Sequence, residues 1–182
     1  MNKFKSKIKV GVIGLGVGEQ HIYGYNSHPK CEVVKICDFN TEKLREVQER
    51  HPQCDPTLDA NEIINDKSID VVSIASFDNF HFSQIIQAIE NNKHIFVEKP
   101  LCLLRDEYVE IVKKLKKKNH LQLSSNLILR KANRFKKLKE KIEKNELGRI
   151  YLFEASYDYG RINKINNGWR GEIDNYSVMH GG

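Results

Sequence analysis

The residues best suited to chemistry near the start of the chain form a glycine-rich turn after an apolar run. The segment 8–21 reads IKVGVIGLGVGEQH. Glycines allow positive φ angles and a close approach of the backbone to a ligand. If a helix begins directly after them, its first N–H groups and the positive end of its dipole favour a phosphate. The pattern therefore predicts an anion-binding turn made of Gly14, Gly16, Val17 and Gly18.

An acidic residue follows the next predicted strand. The segment Glu32–Cys37 is rich in β-branched residues and leads directly into Asp38. In dinucleotide-binding folds, an acidic residue about 20 residues after the glycines binds the ribose hydroxyls. The glycines alone also fit a turn that binds nothing, since Glu19 stands where the third glycine of G-x-G-x-x-G would fall. Together the two features favour a dinucleotide, and the charge of Asp38 favours NAD over NADP.

Further candidates follow two later strands. The strand predicted at 69–75 leads into a loop that contains Ser76 and His81, and the strand at 94–97 leads into Glu98, Lys99 and a proline. A residue before proline is kept out of helical geometry, so Lys99 is expected to project from the strand end as an acid or base. The alternative is a surface lysine paired with Glu98. His81 either contacts the ribose or nicotinamide or caps the following helix.

These loops require elements that bring them together. Strands ending at Ile13 and Cys37, and strands at 69–75, 94–97 and 121–125, alternate with helices predicted at 20–27, 41–49, 82–90 and 105–118. Asn40 and Asp59 are predicted as helix caps. Parallel strands joined by helices form an α/β doubly wound sheet of the Rossmann type, with ligands at the carboxyl ends of the strands. The predicted dinucleotide-binding domain covers residues 1–125.

The pattern changes in residues 126–182. A basic amphipathic helix at 132–145 precedes a strictly alternating segment, Ile150–Tyr159, which predicts a half-exposed strand. One helix and one strand do not enclose a core, so this region is predicted as the incomplete start of an α+β domain for substrate binding or oligomerisation. Candidate contacts for a sugar or phosphate, with aromatic packing in a sheet as the alternative, are Tyr157, Arg161, Trp169 and Arg170.

Composition narrows the functional classes. The net charge of +6 is concentrated in predicted helices, where lysines on solvated faces explain it better than a nucleic-acid site. Four cysteines without a C-x-x-C pair indicate reduced thiols, and no histidine spacing predicts a metal site. No apolar stretch reaches the length of a membrane span, and the basic start lacks the apolar region of a secretory signal. We therefore expect a cytoplasmic protein.

With these residues in place, the sequence resembles the Gfo/Idh/MocA family of NAD(P)-dependent sugar and polyol dehydrogenases. The resemblance covers nearly the whole chain, apart from the short glycine turn. Its motifs are Gly14-x-Gly16, Asp38, Ile74–Ala75 with His81, Glu98–Lys99–Pro100, Gly148–Arg149–Ile150 and Gly168–Trp169–Arg170. The family's glycine-rich segment begins at Gly181–Gly182, so the catalytic Asp and His that follow it in the family are absent from this chain.

The resemblance implies hydride transfer between NAD and a secondary hydroxyl of a sugar, sugar nucleotide or polyol. It makes Lys99 the catalytic residue and implies a homo-oligomer at full length, with these 182 residues incomplete for catalysis. The residues expected to bind the cofactor are Gly14, Gly16, Val17, Gly18, Asp38, Ala75, Ser76, His81, Glu98 and Lys99. A non-catalytic dinucleotide-binding regulator or sensor is the alternative, and a basic nucleic-acid binder rests on charge alone.

Overall fold

The computed structural model describes residues 7–158 together with positions 160, 163, 167, 171 and 172. The chain divides into two compact units, Met1–Ser125 and Asn126–Gly182. None of the helices in the described part combines the length and the apolar character needed to cross a bilayer.

A sheet of six parallel strands forms the centre of the first unit. The strands are β1 (Ile8–Ile13), β2 (Cys31–Cys37), β3 (Asp55–Thr57), β4 (Val71–Ile74), β5 (His94–Val97) and β6 (Leu123–Ser125). Their order is β3-β2-β1-β4-β5-β6, and each neighbouring pair is parallel. The order reverses between β1 and β4, which is where doubly wound sheets bind ligands. The predicted α/β Rossmann-type fold is confirmed.

Helices connect the strands of this sheet. They are α1 (Gly18–Asn26), α2 (Thr41–Arg50), α3 (Ala60–Ile64), α4 (His81–Glu90) and α5 (Arg105–Lys117), and α6 (Asn133–Glu143) lies in the second unit. The predicted caps are confirmed: Asn40 accepts a hydrogen bond from the Lys43 amide, and Asp59 accepts one from the Asn61 amide. These side chains satisfy amides that have no partner inside the helix, so both helices begin where the sequence predicts.

The apolar core of the first unit forms two clusters. One contains Val10, Val12 and Ile22, and the other contains Ile13, Ile74 and further apolar residues up to Leu121. Val12 and Ile13 are consecutive on β1 and belong to different clusters, because successive side chains of a strand point to opposite faces. A buried sheet with apolar side chains on both faces holds the ends of its strands in fixed positions.

The basic run at the end of α5 is partly engaged in the fold. The Lys114 ammonium lies 2.6 Å from a Glu90 carboxylate oxygen, and Lys118 donates to the carbonyls of Ile89 and Glu90 at 2.8 and 2.9 Å. Those two acceptors lie in the last turn of α4, where carbonyls lack helical partners and cations are favoured. The prediction of simply solvated lysines is therefore corrected for Lys114 and Lys118.

Two differences from the sequence prediction concern strands. The three-residue strand β3 was not predicted, since it is too short to show a period and contains Pro56, which is tolerated at a sheet edge. Conversely, positions 150–158 of the predicted strand Ile150–Tyr159 are exposed and belong to no strand, and Tyr159 lies outside the described residues. A strand is stabilised by pairing with a neighbour, and the described part of the second unit contains no β-strand.

Candidate functional site

The glycine-rich turn lies at the carboxyl end of β1 and packs against the loop after β4. Gly14 has a φ of 84°, and a Cβ atom there would collide with the Ala75 carbonyl. The Gly14 amide donates to the Cys37 carbonyl at 2.8 Å. A Cβ atom on Gly18 would lie 3.2 Å from that of Ala75. The positive φ and the close approach of the Ala75 carbonyl therefore require glycine at position 14, and Gly18 allows α1 to start in close contact with Ala75.

Gly16 is in a different environment. A Cβ atom at Gly16 would have no atom of the described protein within 4 Å, so the space beside Gly16 is open. Helix α1 begins at Gly18, and Val17 at its N-cap position provides no side-chain hydrogen bond. Uncapped amides at the positive end of a helix, next to an open glycine, suit a pyrophosphate. The residues of this turn thus fit the phosphates of a dinucleotide.

Asp38 connects the end of β2 with the glycine turn. Its Oδ2 accepts a hydrogen bond from the Leu15 amide at 2.8 Å, and its Oδ1 accepts one from the Asn40 amide at 2.9 Å. The residue is 9% exposed. A carboxylate has about four acceptor positions, so these two bonds leave capacity for ribose hydroxyls. Asp38 can thus shape the turn and bind a ribose at the same time.

Sequence reasoning assigned no binding role to an exposed aromatic group beside Asp38. Phe39 is 68% exposed, and its ring meets that of Phe77 edge to face with centroids 5.3 Å apart. Phe77 also stacks with Phe80 at 6.5 Å. Phe39 follows Asp38, and Phe77 follows Ser76, so the available signal was an aromatic residue directly after each candidate. Such rings offer apolar faces and edges to a flat heterocycle.

His81 joins two loops of the site. Its side chain is fully buried, with Nδ1 2.6 Å from the Pro100 carbonyl oxygen and Nε2 3.2 Å from the Ser76 carbonyl oxygen. Carbonyl oxygens accept hydrogen bonds, so a protonated ring nitrogen donates to them. The neutral ring carries a single N–H, so it donates to one of these two carbonyls at a time, and either bond ties the buried ring to a loop of the site. The contact of His81 with a cofactor stays a prediction. The Ser76 hydroxyl donates to Gln84 at 2.7 Å.

Lys99 lies beyond the end of β5, beside the loop after β4. The Glu98 amide donates to the Ile74 carbonyl at 2.8 Å, which holds the start of this turn against β4. The Lys99 amide is 3.3 Å from Glu98 Oε2, and the peptide bond to Pro100 is cis. Glu98 and Lys99 are both half-buried. The Lys99 backbone is therefore held at the edge of the sheet that carries the glycine turn.

A buried polar group behind this edge was also missed by sequence reasoning. Imidazole nitrogens of His21 lie 2.9 Å from Ser73 Oγ and 3.0 Å from Glu98 Oε1. The signals were a histidine one turn after Gly18 and the single polar residue of β4. Neither signal specifies a contact by itself.

The strand order brings most of the predicted site together. The carboxyl ends of β2, β1, β4 and β5 are neighbours, and they carry Asp38, the glycine turn, the loop from Ala75 and the Glu98–Lys99 pair. Tyr157 belongs to the second unit, where it is exposed, and Arg161, Trp169 and Arg170 lie outside the described residues. Among the residues that the structure describes, no group of histidine, cysteine and acidic side chains is arranged to hold a metal ion.

Comparison with known proteins gives consistent matches. The model of the Gfo/Idh/MocA family, an oxidoreductase family with an NAD-binding Rossmann fold, matches residues 8–126. The chain is 31% identical over 150 residues to a myo-inositol 2-dehydrogenase from Thermotoga maritima, covering 82% of this chain and 45% of that protein. It is 26% identical over 166 residues to a scyllo-inositol 2-dehydrogenase (NADP(+)) from Bacillus subtilis, covering 90% and 45%.

A solved structure extends this similarity to three dimensions. The myo-inositol dehydrogenase from Lactobacillus casei, in complex with NAD(H) and myo-inositol, matches with a TM-score of 0.72 and 30% identity. The match covers 78% of this chain and 43% of that one. The chain therefore spans less than half the length of the relatives that it matches.

Proposed function

We propose, from the premise that this chain belongs to the Gfo/Idh/MocA oxidoreductase family, that it binds NAD(H) for hydride transfer with a secondary hydroxyl of a polyol or sugar. The observation that carries the proposal is the convergence of an open glycine turn, Asp38 and Lys99 at one edge of the sheet. Inositol dehydrogenases among the relatives support a polyol substrate.

Different residues of the site would bind different parts of the cofactor. Gly16, Val17 and the first amides of α1 would hold the pyrophosphate, because a helix start concentrates unpaired donors. Asp38 would accept hydrogen bonds from the ribose hydroxyls with its remaining acceptor positions. The edges and faces of Phe39 and Phe77 would contact the adenine. Together these groups would orient the nicotinamide toward the loops after β4 and β5.

Lys99 would act on the substrate hydroxyl. When bound, the nicotinamide supplies the hydride carrier, and the protein supplies position and a proton acceptor. An ammonium group can hold a hydroxyl oxygen by a hydrogen bond, and a neutral lysine can take its proton. The half-buried position of Lys99 at a sheet edge supports this role.

The choice of cofactor follows from Asp38. A carboxylate beside the ribose repels a 2′-phosphate, so we propose NAD as the preferred cofactor, with NADP bound less tightly. The relative from Bacillus subtilis is named for NADP. The preference therefore depends on this chain's own residues and has to be measured on it.

The binding part of the proposal is tested by titrating the chain with NADH and following its fluorescence. Gly16→Val places a side chain where the pyrophosphate would lie, so we expect binding to be lost while the free energy of unfolding stays unchanged. Gly24→Val is the matched control, because Gly24 also has no protein atom within 4 Å of a Cβ but lies farther along α1. Equal NADH affinity in both variants would contradict the proposal.

The catalytic part is tested in a form of the protein that oxidises a polyol. Lys99→Ala should leave NADH affinity within a few-fold and lower kcat by about 100-fold, as expected when a positioned acid or base is removed. The rate of NADH formation at saturating polyol measures this loss. Equal kcat in variant and parent would contradict the catalytic role and favour the alternative, a surface lysine paired with Glu98.

A further inference from the structure

A buried imidazole connects the helix after the glycine turn with the turn that holds Lys99. His21 lies on α1, and its Nδ1 is 2.9 Å from Ser73 Oγ on β4. Its Nε2 is 3.0 Å from Glu98 Oε1, beyond the end of β5. Ser73 is fully buried, and the side chains of His21 and Glu98 are 7% and 15% exposed. One side chain thus links three elements where little water competes for the hydrogen bonds.

The surroundings restrict the His21 ring. Phe96 on β5 packs edge to face with it, with ring centroids 5.2 Å apart. Tyr25 lies one turn further along α1, and burial raises the pKa of its hydroxyl. A ring held by polar contacts at both nitrogens and by an aromatic contact has few alternative rotamers. The ring therefore restrains the two groups that it contacts, Ser73 Oγ and Glu98 Oε1.

The hydrogen-bond partners of His21 determine which of its ring nitrogens carries the proton. A carboxylate only accepts hydrogen bonds, so the contact with ionised Glu98 requires a proton on Nε2 of His21. In the neutral ring, Nδ1 then accepts from the Ser73 hydroxyl. Each of the two hydrogen bonds of His21 thus pairs one donor with one acceptor.

The order Ser73, His21, Glu98 resembles that of a hydrolytic triad, but the burial of Ser73 excludes that function. A nucleophilic serine must reach a substrate carbonyl, and Ser73 has no exposed surface. The contact of His21 that bears on Lys99 is the one with Glu98. Glu98 Oε2 lies 3.3 Å from the Lys99 amide, so the imidazole holds one oxygen of a carboxylate whose other oxygen meets the Lys99 backbone.

We propose that His21 is a positioning residue for Lys99: it fixes the Glu98 carboxylate and thereby holds the Lys99 turn in register with the helix that starts at the dinucleotide turn. The proposal rests on the proposed function for the role of Lys99. Its physical consequence, a restrained Lys99, is independent of cofactor binding. A ligand at the glycine turn and a substrate group at Lys99 would thus share one rigid frame.

Two variants of His21 separate this role from general packing. In His21→Gln the terminal amide reaches about as far as Nε2 and can still donate to Glu98. In His21→Asn the shorter amide reaches only about as far as Nδ1, so it can meet Ser73 but leaves Glu98 without this donor. Ser73→Ala is the matched control, since it removes the other contact of the ring and keeps the one to Glu98.

The readout is the rate at which formaldehyde and a borohydride methylate Lys99 in the 182-residue chain. Mass spectrometry follows Lys99 against the exposed Lys67 as an internal reference. We expect His21→Asn to speed labelling of Lys99 about tenfold, the effect of losing one hydrogen bond to a charged acceptor. His21→Gln and Ser73→Ala should label like the parent. Equal Lys99 rates in the Asn and Gln variants would overturn the proposal.

If His21→Asn does not fold, a variant of Glu98 tests the same proposal. Glu98→Gln keeps the shape of the side chain and removes the charge that His21 binds, so Lys99 should label several-fold faster than in the parent. A parental rate in a folded Glu98→Gln chain would also overturn the proposal. Adding NADH to the parent tests the proposed function separately: absence of protection at Lys99 and of NADH binding would contradict that function and leave the cofactor-free comparison intact.

Discussion

Asp38 makes two backbone hydrogen bonds that would also orient it toward the ribose in the proposed function. One oxygen accepts from the Leu15 amide in the glycine turn, and the other accepts from the Asn40 amide before α2. These bonds hold the charge at the end of β2 in a fixed orientation. A fixed charge discriminates between cofactors better than a mobile one, because it cannot move away from a 2′-phosphate.

Replacing Asp38 should therefore change selectivity as well as affinity. In Asp38→Ala we expect weaker NADH binding, since the ribose and two backbone amides lose an acceptor, and a smaller ratio between NADH and NADPH affinities. Fluorescence titration with both cofactors measures the ratio. Asp55→Ala removes a charge at the amino end of β3 and should leave the ratio at its parental value. An unchanged ratio in Asp38→Ala would contradict the assignment.

At the scale of elements, Asp66 joins the segment after α3 to β2. Its carboxylate lies 2.9 Å from the Lys35 ammonium, and it accepts from the hydroxyl and amide of Ser68 at 2.7 and 2.9 Å. The Lys35 ammonium and then the Ser68 donors hold the pKa of Asp66 well below its usual range. The Asp66 carbonyl also accepts from buried Lys93 at 2.5 Å, and burial lowers the pKa of that lysine.

This network predicts a pH-dependent stability. A carboxyl group whose pKa is lower in the folded state stabilises that state above its unfolded pKa, near 3.8, and loses the contribution as the pH falls through the folded value. Asp66→Asn should therefore lower the free energy of unfolding by about 2 kcal/mol at neutral pH. The difference from the parent should shrink in more acidic solution.

Urea unfolding at a series of pH values measures both effects. Ser68→Ala serves as a graded control, because it removes one donor to the same carboxylate and leaves Lys35 in place. It should show a smaller loss in the same pH range. A stability difference between Asp66→Asn and the parent that is constant with pH would disprove the linkage.

At the scale of the whole molecule, the two units differ in what they enclose. The buried residues of both apolar clusters of the first unit lie between Val10 and Leu121, and the six strands that the structure describes lie before residue 126. The described part of the second unit contains α6 and a short 3₁₀ helix at Ile128–Lys131, and its side chains are mostly exposed. The first unit therefore has the core that an independent domain requires.

We predict that residues 1–125 fold on their own. Their unfolding midpoint should lie within a few degrees of that of the 182-residue chain, and their NADH affinity within a few-fold, because the glycine turn and Asp38 are retained. Circular dichroism on heating and NADH titration measure these quantities. Residues 1–120 form the control, since they lack buried Leu121 and strand β6, and they should unfold at a much lower temperature. An unfolded 1–125 would contradict the prediction.

The sequence by itself determined the features that depend on short-range patterns. The β-branched runs, the glycine turn, the acidic residue after β2 and the caps Asn40 and Asp59 are local signals. The family resemblance, which rests on motifs such as the glycine turn, Asp38 and Glu98–Lys99–Pro100, is confirmed by the match over residues 8–126. The alternating segment after residue 149 shows the limit of such signals, because a strand also needs a partner that local pattern does not supply.

Only the tertiary structure decided which of these features meet. His21 and Glu98 are 77 positions apart and His81 and Pro100 are 19 apart, so their contacts depend on the order of the strands and not on local pattern. The edge-to-face pair of Phe39 and Phe77 likewise forms because β2 and β4 flank β1. The physical reason is that parallel strands joined by crossover helices bring distant loops to one edge of the sheet, and side-chain packing there selects each pair.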